Sequence, residues 1–308
     1  MAVLSLLDIA KMNGSDGLVG LIDEASQHSP EVRLAPARTI SGINYKTLTR
    51  KTVPSAAFRD AADGTDPVKG TYENKTVETF ILNPRWELDK AIADRHEDGA
   101  EALIALEAGA IMEGAFQQLA AQFYYGTDTT YKGHAKGFPG LIDSYDSTNM
   151  VVDAAGTTAT TGSSLWAVQF GPRAVQWVYG NGGALDMGDP RIETITGANS
   201  KSLTGYVQEL LAYPGLQVSS QDVLGRIKKL TEDSGKGLTD DLIADLLSKF
   251  KVGMVPDMLL CTRRSLKQLQ QSRTATNNNG APAPFPTEAF GVPLVVTESL
   301  SNVEDLAL

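Results

Sequence analysis

The chain has 308 residues, 42% of them hydrophobic, enough to bury a substantial core as one large domain or two ordinary ones. Its 27 Lys and Arg stand against 37 Asp and Glu, and a formal charge of −10 argues against a surface built to grip nucleic acid. One cysteine, Cys261, excludes an intrachain disulfide framework, and His28, His96 and His134 are too far apart in sequence to form a zinc pair.

The first thirty residues hold a short apolar run, Val3 to Ile9, then the loop NGSDG and a short helical pattern from Leu18 to Ala25. The run has no basic leader and meets Asp8 early, so no signal peptide is expected, and no stretch approaches a membrane span. A soluble protein made in a cytoplasm is expected. Alone these residues bury little, which fits an N-terminal arm that needs a partner surface.

Two β-like runs follow, RTISGINYKTLTR at 38–50 and ENKTVETFIL at 73–82. Between them lie roughly twenty residues rich in Pro, Gly, Ala and Asp, longer than a compact domain tolerates unless the loop has a task. The two runs read as arms of a long hairpin with no strongly apolar face. Such a hairpin does not stabilise itself in water, so it is expected to lie on another subunit.

From Ala93 to Tyr125 the spacing predicts one uninterrupted helix about 50 Å long. Ile104, Ala108, Ile111, Ala115 and Leu119 form its apolar stripe, and Asp94, Glu97 and Asp98 suit its N-terminal dipole. Gly99, Gly109 and Gly114 each cost a helix about 1 kcal/mol against alanine, which points to close packing there.

Beyond it, residues 127–143 are turn-rich and enter Phe138-Pro139-Gly140-Leu141. SLWAVQF and AVQWVYG are strand-like pieces around Gly171-Pro172, with both faces partly buried. Residues 183–199 read as a loop or short excursion, Tyr206 to Leu211 and Leu216 to Val218 as strands, and RIKKL as a basic segment. LTDDLIADLLSKF is a helix with Thr239 as N-cap, and Leu242, Ile243, Leu246, Leu247 and Phe250 on one face. Asp257 to Cys261 is a strand, Thr262 caps a helix to Ser272, and Val292 to Val296 is the last strand.

Groups for catalysis are few. Asp240 and Asp241 open a helix, where acids are expected anyway, and Asp60, Asp63 and Asp66 sit in an exposed loop. GNGG at 180–183 and NGSDG at 13–17 lack phosphate-loop spacing and read as turns. Trp86, Trp166 and Trp177 are expected to pack rather than to stack on a ligand. Cys261, in an apolar run, reads as a buried inert thiol, and Arg173 as an exposed surface arginine. Lys46, Lys51, Lys69 and Lys75 supply amines and Asn277–Asn279 amides, residue types common in exposed loops, and no motif gives them a task. Arg50, Lys51 and Arg59 are expected to pair with acids of a neighbour and set register. The reading is a non-enzyme with no catalytic, cofactor or metal residues.

The order of several motifs carries a resemblance: GFPGLIDSYDS, a DAAGT turn, SSLWAVQFGPRAVQWVYGNGG, YPGLQVSSQDVLGRIKKL, then MLLCTRRSLKQLQQ and FGVPLVVTESL. In this the chain resembles the major capsid proteins of tailed bacteriophages, in a branch found in short-tailed phages. The resemblance implies an α+β chain of the Hong Kong 97 type. Its parts would be an N-terminal arm (1–32), an extended hairpin loop (33–88), a peripheral domain with a spine helix (89–155), a mainly axial domain (156–255) and a return to the peripheral domain (256–308). It implies self-assembly in pentamers and hexamers into an icosahedral shell that encloses DNA without sequence-specific binding. Scaffolding, portal and decoration proteins are the implied partners. A cellular nanocompartment shell is the alternative on the same fold, and a carboxylate-metal enzyme a more distant one.

Overall fold

The structure is a computed structural model that describes residues 12, 25, 27–131, 133–197, 200–275 and 281–307. Most of the expected arm, the NGSDG turn and Asn277–Asn279 lie outside the described residues. In chain order the first elements are α1 (Glu31–Leu34), β1 (Ala37–Thr39), β2 (Asn44–Thr52), β3 (Thr71–Glu78), β4 (Arg85–Asp89), α2 (Lys90–Ala93) and α3 (Ala100–Tyr125). Then come β5 (Val151–Asp153), β6 (Ser163–Val168), β7 (Val175–Tyr179), β8 (Asp186–Met187), β9 (Arg191–Thr196), β10 (Ser202–Leu211), β11 (Pro214–Val218) and β12 (Leu224–Leu230). The chain closes with α4 (Asp240–Ser248), β13 (Met258–Cys261), α5 (Arg263–Ala275), β14 (Glu288–Ala289) and β15 (Val292–Val296).

The long helix starts later than its composition suggests. Asp89 caps α2 by accepting from the Ala91 amide at 2.9 Å, and the chain then turns until Gly99, whose φ of 87° is left-handed and breaks the helix. What remains, α3, has 26 residues and is about 39 Å long. Its first half is mostly half-exposed, while Leu119 through Tyr125 are all buried. There the helix drives into an aromatic core: Phe123 lies 5.1 Å from Tyr124 and 5.5 Å from Trp177, and Phe138 is 5.6 Å from Trp177. The helix ends at Gly126, where the backbone of Gly140 crosses so closely that a Cβ on Gly140 would sit 2.4 Å from the Gly126 nitrogen. That crossing is why the Phe-Pro-Gly-Leu turn carries its glycine. Gln122 fastens the turn: its side chain donates to the Phe138 carbonyl at 2.7 Å and accepts from the His134 amide at 2.8 Å.

Six strands form the largest sheet, in the order β14-β15-β13-β6-β12-β5. Alternation along β6 divides the interior. Leu165 and Ala167 face a core closed by Ile243 and Leu246 of α4 and Leu269 of α5. Trp166 and Val168 face the aromatic core beneath α3. The Thr239 hydroxyl accepts from the Leu242 amide at 3.3 Å, as its position predicts. Thr239→Ala is expected to lower the unfolding free energy by about 1 kcal/mol, measured by urea titration.

β7 pairs with β1 and β11 in a three-stranded sheet separate from that of β6. The stretch read as a loop or short excursion from 183 contains β8 and β9, both paired with β10. RIKKL is the end of β12, with Arg226 buried. β13 pairs with β6 as well as β15, so one sheet joins the middle of the chain to its last segment. The four-stranded sheet, β4 and β9 flanking β10 with β8 beyond, lies against α2 and the start of α3.

Candidate assembly surface

The hairpin of β2 and β3 pairs antiparallel from Asn44–Glu78 to Thr52–Thr71, with an irregularity after Arg50. Among the described residues, its contacts with the rest of its own chain are at the base. Val77 is buried, Tyr45 donates a hydrogen bond to Gln217, and Lys75 donates to the Val218 carbonyl at 2.9 Å. Thr49 reaches the Ser219 carbonyl at 3.5 Å, and Arg38 lies 4.8 Å over the Tyr45 ring. Burial pushes the Tyr45 phenol up, and burial first, then the nearby Lys51 charge, pulls the Lys75 ammonium down.

Past this base the picture changes. Every residue from Arg50 to Lys69 is exposed, and Phe58 near the far end is fully so. Lys51 pairs with Glu73 at 2.9 Å within the hairpin, and Arg59 donates to the Asp63 carbonyl at 2.6 Å. These two of the expected register-setting cations therefore have partners inside the hairpin; Asp60, Asp63 and Asp66 are exposed.

A groove of about 480 Å³ runs beside α3, lined by Ile81, Pro84, Ala110, Ile111, Gly114 and Phe138 among others. A Cβ added at Gly109 or Gly114 would meet nothing within 4 Å. The close packing expected at these glycines is thus not made by the chain's own described residues. Glu107 stands on the groove's side of the helix, at i, i+3 and i+7 with Ala110 and Gly114. It is half-buried, has no hydrogen-bond or ion-pair partner among the described residues, and desolvation raises its carboxyl above the usual range.

Other residues singled out by sequence fall into structural roles. Asp240 receives a two-pronged ion pair from Arg273 at 2.7 and 2.8 Å. GNGG is a turn with Asn181, Gly182 and Gly183 all at positive φ. Trp166 and Trp177 are fully buried, Trp86 nearly so, and Arg173 is exposed. Burial pushes the Cys261 thiol up to about 12. Among the described residues no three His, Cys, Asp or Glu side chains gather as a metal site, and no helix is long and apolar enough to cross a membrane.

Sequence reasoning missed a buried network with no periodic signature. Arg226 donates to Ser164 at 2.8 and 3.0 Å and to Glu304 at 3.3 Å, with both charged side chains almost fully buried. Ser164 also donates to Glu304, Tyr125 donates to Glu304 at 2.7 Å, and the Arg226 guanidinium lies 5.2 Å over Trp166. Burial and the Glu304 charge push the Tyr125 phenol up. The network bolts the C-terminal segment to β6 and β12.

The architecture is similar to known shells. A chain of bacteriophage Epsilon15 aligns over 99% of this chain and 98% of its own, with TM-score 0.73 at 20% identity. The capsid of Myoviridae phage XM1 aligns over 72% of this chain and 98% of its own, with TM-score 0.50 at 12% identity. These likenesses show the mixed helix-and-sheet fold of phage capsids, the Hong Kong 97 type. The SrpI encapsulin of Synechococcus elongatus PCC 7942 reaches TM-score 0.45 at 12% identity, over 74% of this chain and 96% of its own, too low to bear on the choice. No curated protein matches the sequence. A family model described as major capsid protein GP7 matches residues 32–281, and on that match the chain belongs to the GP7 major capsid protein family and is a shell-forming subunit.

Proposed function

We propose that this capsid subunit locks to its neighbours by laying the distal hairpin across α3 of an adjacent copy, with Phe58 seated in the groove beside Gly114. One observation carries the reading. The segment from Arg50 to Lys69 is wholly exposed on its own chain, and the described residues of that chain leave open the groove beside α3 and give Glu107, on the same side of the helix, no partner. An extended hairpin and an open groove complement each other only between copies. Arg59, exposed beside Phe58, supplies a cation for Glu107.

In this reading the copies form pentamers and hexamers, and many modest contacts make the closed shell stable while early errors still dissociate. The four-stranded sheet with α2 and α3 serves as the peripheral unit. The six-stranded sheet with α4 and α5, which includes β13 and β15, serves as the axial one. The shell encloses DNA without sequence-specific contacts, consistent with a net charge of −10, and assembles in the host cytoplasm with scaffolding, portal and decoration proteins. The subunit has no enzymatic role.

The test is a pair of cysteines, Phe58→Cys with Gly114→Cys, in assembled shells under mild oxidation. The native Cys261 is buried and contributes little background. The double variant is expected to run as a ladder of linked subunits on a denaturing gel, and each single variant as monomer. A double variant that stays monomeric in intact shells would overturn the docking.

A further inference from the structure

Where the hairpin's root meets the body, two segments close on the carboxyl of Glu31 and a third on its backbone. Glu31 of α1 is 0% exposed, and its backbone carbonyl accepts from the Trp177 indole of β7 at 3.2 Å. Its Oε2 faces the Tyr124 hydroxyl of α3 at 3.5 Å, a long contact, and the Thr297 and Ser299 hydroxyls of the C-terminal segment stand beside it. Its Oε1 has no partner. On either side the backbone is stitched: the His28 amide donates to the Glu298 carboxylate at 2.8 Å, the Glu298 amide to the His28 carbonyl at 3.0 Å, and the Ser29 and Ser299 hydroxyls lie 3.0 Å apart.

The surrounding charges offer the carboxylate no compensation. Tyr124 is itself a buried acid whose proton burial retains, with Tyr125 of α3 and Cys261 of β13 behind it. His28 and Glu298 are exposed on the outer side, and Arg33 of α1 is exposed. Among the described residues no cation faces Glu31, so an ionised carboxylate there is buried, half-bonded and unpaired.

We propose that Glu31 is a proton-operated clasp: protonated, it docks residues 28–36 between α3, β7 and the C-terminal segment, and ionised, it releases them. β1 begins at Ala37 and the hairpin at Asn44, so release loosens the root from which the hairpin springs. The clasp acts within one subunit and does not depend on where the hairpin's far end docks.

The sign follows from burial, which outweighs the hydroxyl hydrogen bonds and raises the Glu31 carboxyl above its ordinary 4.5. The docked form therefore binds the proton more tightly than the released form. Docking is fully present below the ordinary value and is lost as pH rises through the raised one.

Hydrogen exchange on the full chain tests this. The Arg33, Leu34 and Ala35 amides are bonded to the Pro30 and Glu31 carbonyls at 3.0, 2.9 and 3.3 Å and report docking. Corrected for intrinsic chemistry, their protection is expected to fall by about tenfold per pH unit across the window above the ordinary glutamate value, while amides of β6 and β12 hold constant. In Glu31→Gln, nearly isosteric and always neutral, the fall is expected to vanish. A flat wild-type profile, or a Glu31→Gln chain that keeps the wild-type slope, would overturn the proposal. The wild-type titration decides alone if the variant does not fold.

Discussion

Glu304→Gln is expected to cost about 3–5 kcal/mol of unfolding free energy, because it strips the counter-charge from a buried Arg226 without giving that guanidinium a route to water. The amide is nearly the size of the carboxylate, so the loss does not come from a cavity. It comes from a cation held 5.2 Å above Trp166 and 5.7 Å from the Tyr145 ring that loses a buried carboxylate partner. Urea titration of the soluble subunit measures it, with the fluorescence of Trp166 as a local reporter. Replacing both charges, Arg226→Met with Glu304→Leu, is expected to recover only part of the loss: no ion is then buried, but the Tyr125 and Ser164 hydroxyls lose their carboxylate acceptor. If the single variant unfolds within about 1 kcal/mol of the parent, the pair is not the bolt described here.

Removing residues 53–70 and joining Thr52 to Thr71 through Asn-Gly is expected to leave the subunit folded and to abolish shells. No buried side chain leaves with the segment, so the unfolding free energy is expected to change by less than about 0.5 kcal/mol. The two-residue turn matches the twist of β2 and β3, and Val77, Tyr45 and Lys75 still hold the base. Assembly loses the element proposed to cross between copies. Particle sizing and electron microscopy read the outcome directly, and shells at parental yield would remove the hairpin from the assembly mechanism. Set beside the Glu304 variant, the deletion separates two failures: one breaks the subunit, the other only its association.

Amphipathic and capping signals were the legible part of this chain. Thr239 with the apolar face of α4, the strand Val292–Val296, and the two arms of the hairpin were all readable, because local periodicity and turn chemistry dictate them. The start of α3 was not, because Gly99 reads as one more helix glycine until its left-handed φ is known. β9 escaped because its two isoleucines are three residues apart and so lie on opposite faces, Ile195 buried and Ile192 56% exposed, which leaves no apolar alternation to read in a strand that exists through its ladder with β10.

The sequence by itself determined the kind of chain this is: a mixed fold with a long helix and an extended hairpin, in a motif order that resembles phage capsid proteins. Those features are short-range, written in spacing and composition. Tertiary structure decided which strands share a sheet, where Arg226 finds Glu304 across 78 residues, and that Glu31 is buried with no cation facing it among the described residues. Sequence is silent on these because a buried charge has no period. Its partner and its solvent are set by contacts between segments far apart along the chain, and only the folded chain brings them together.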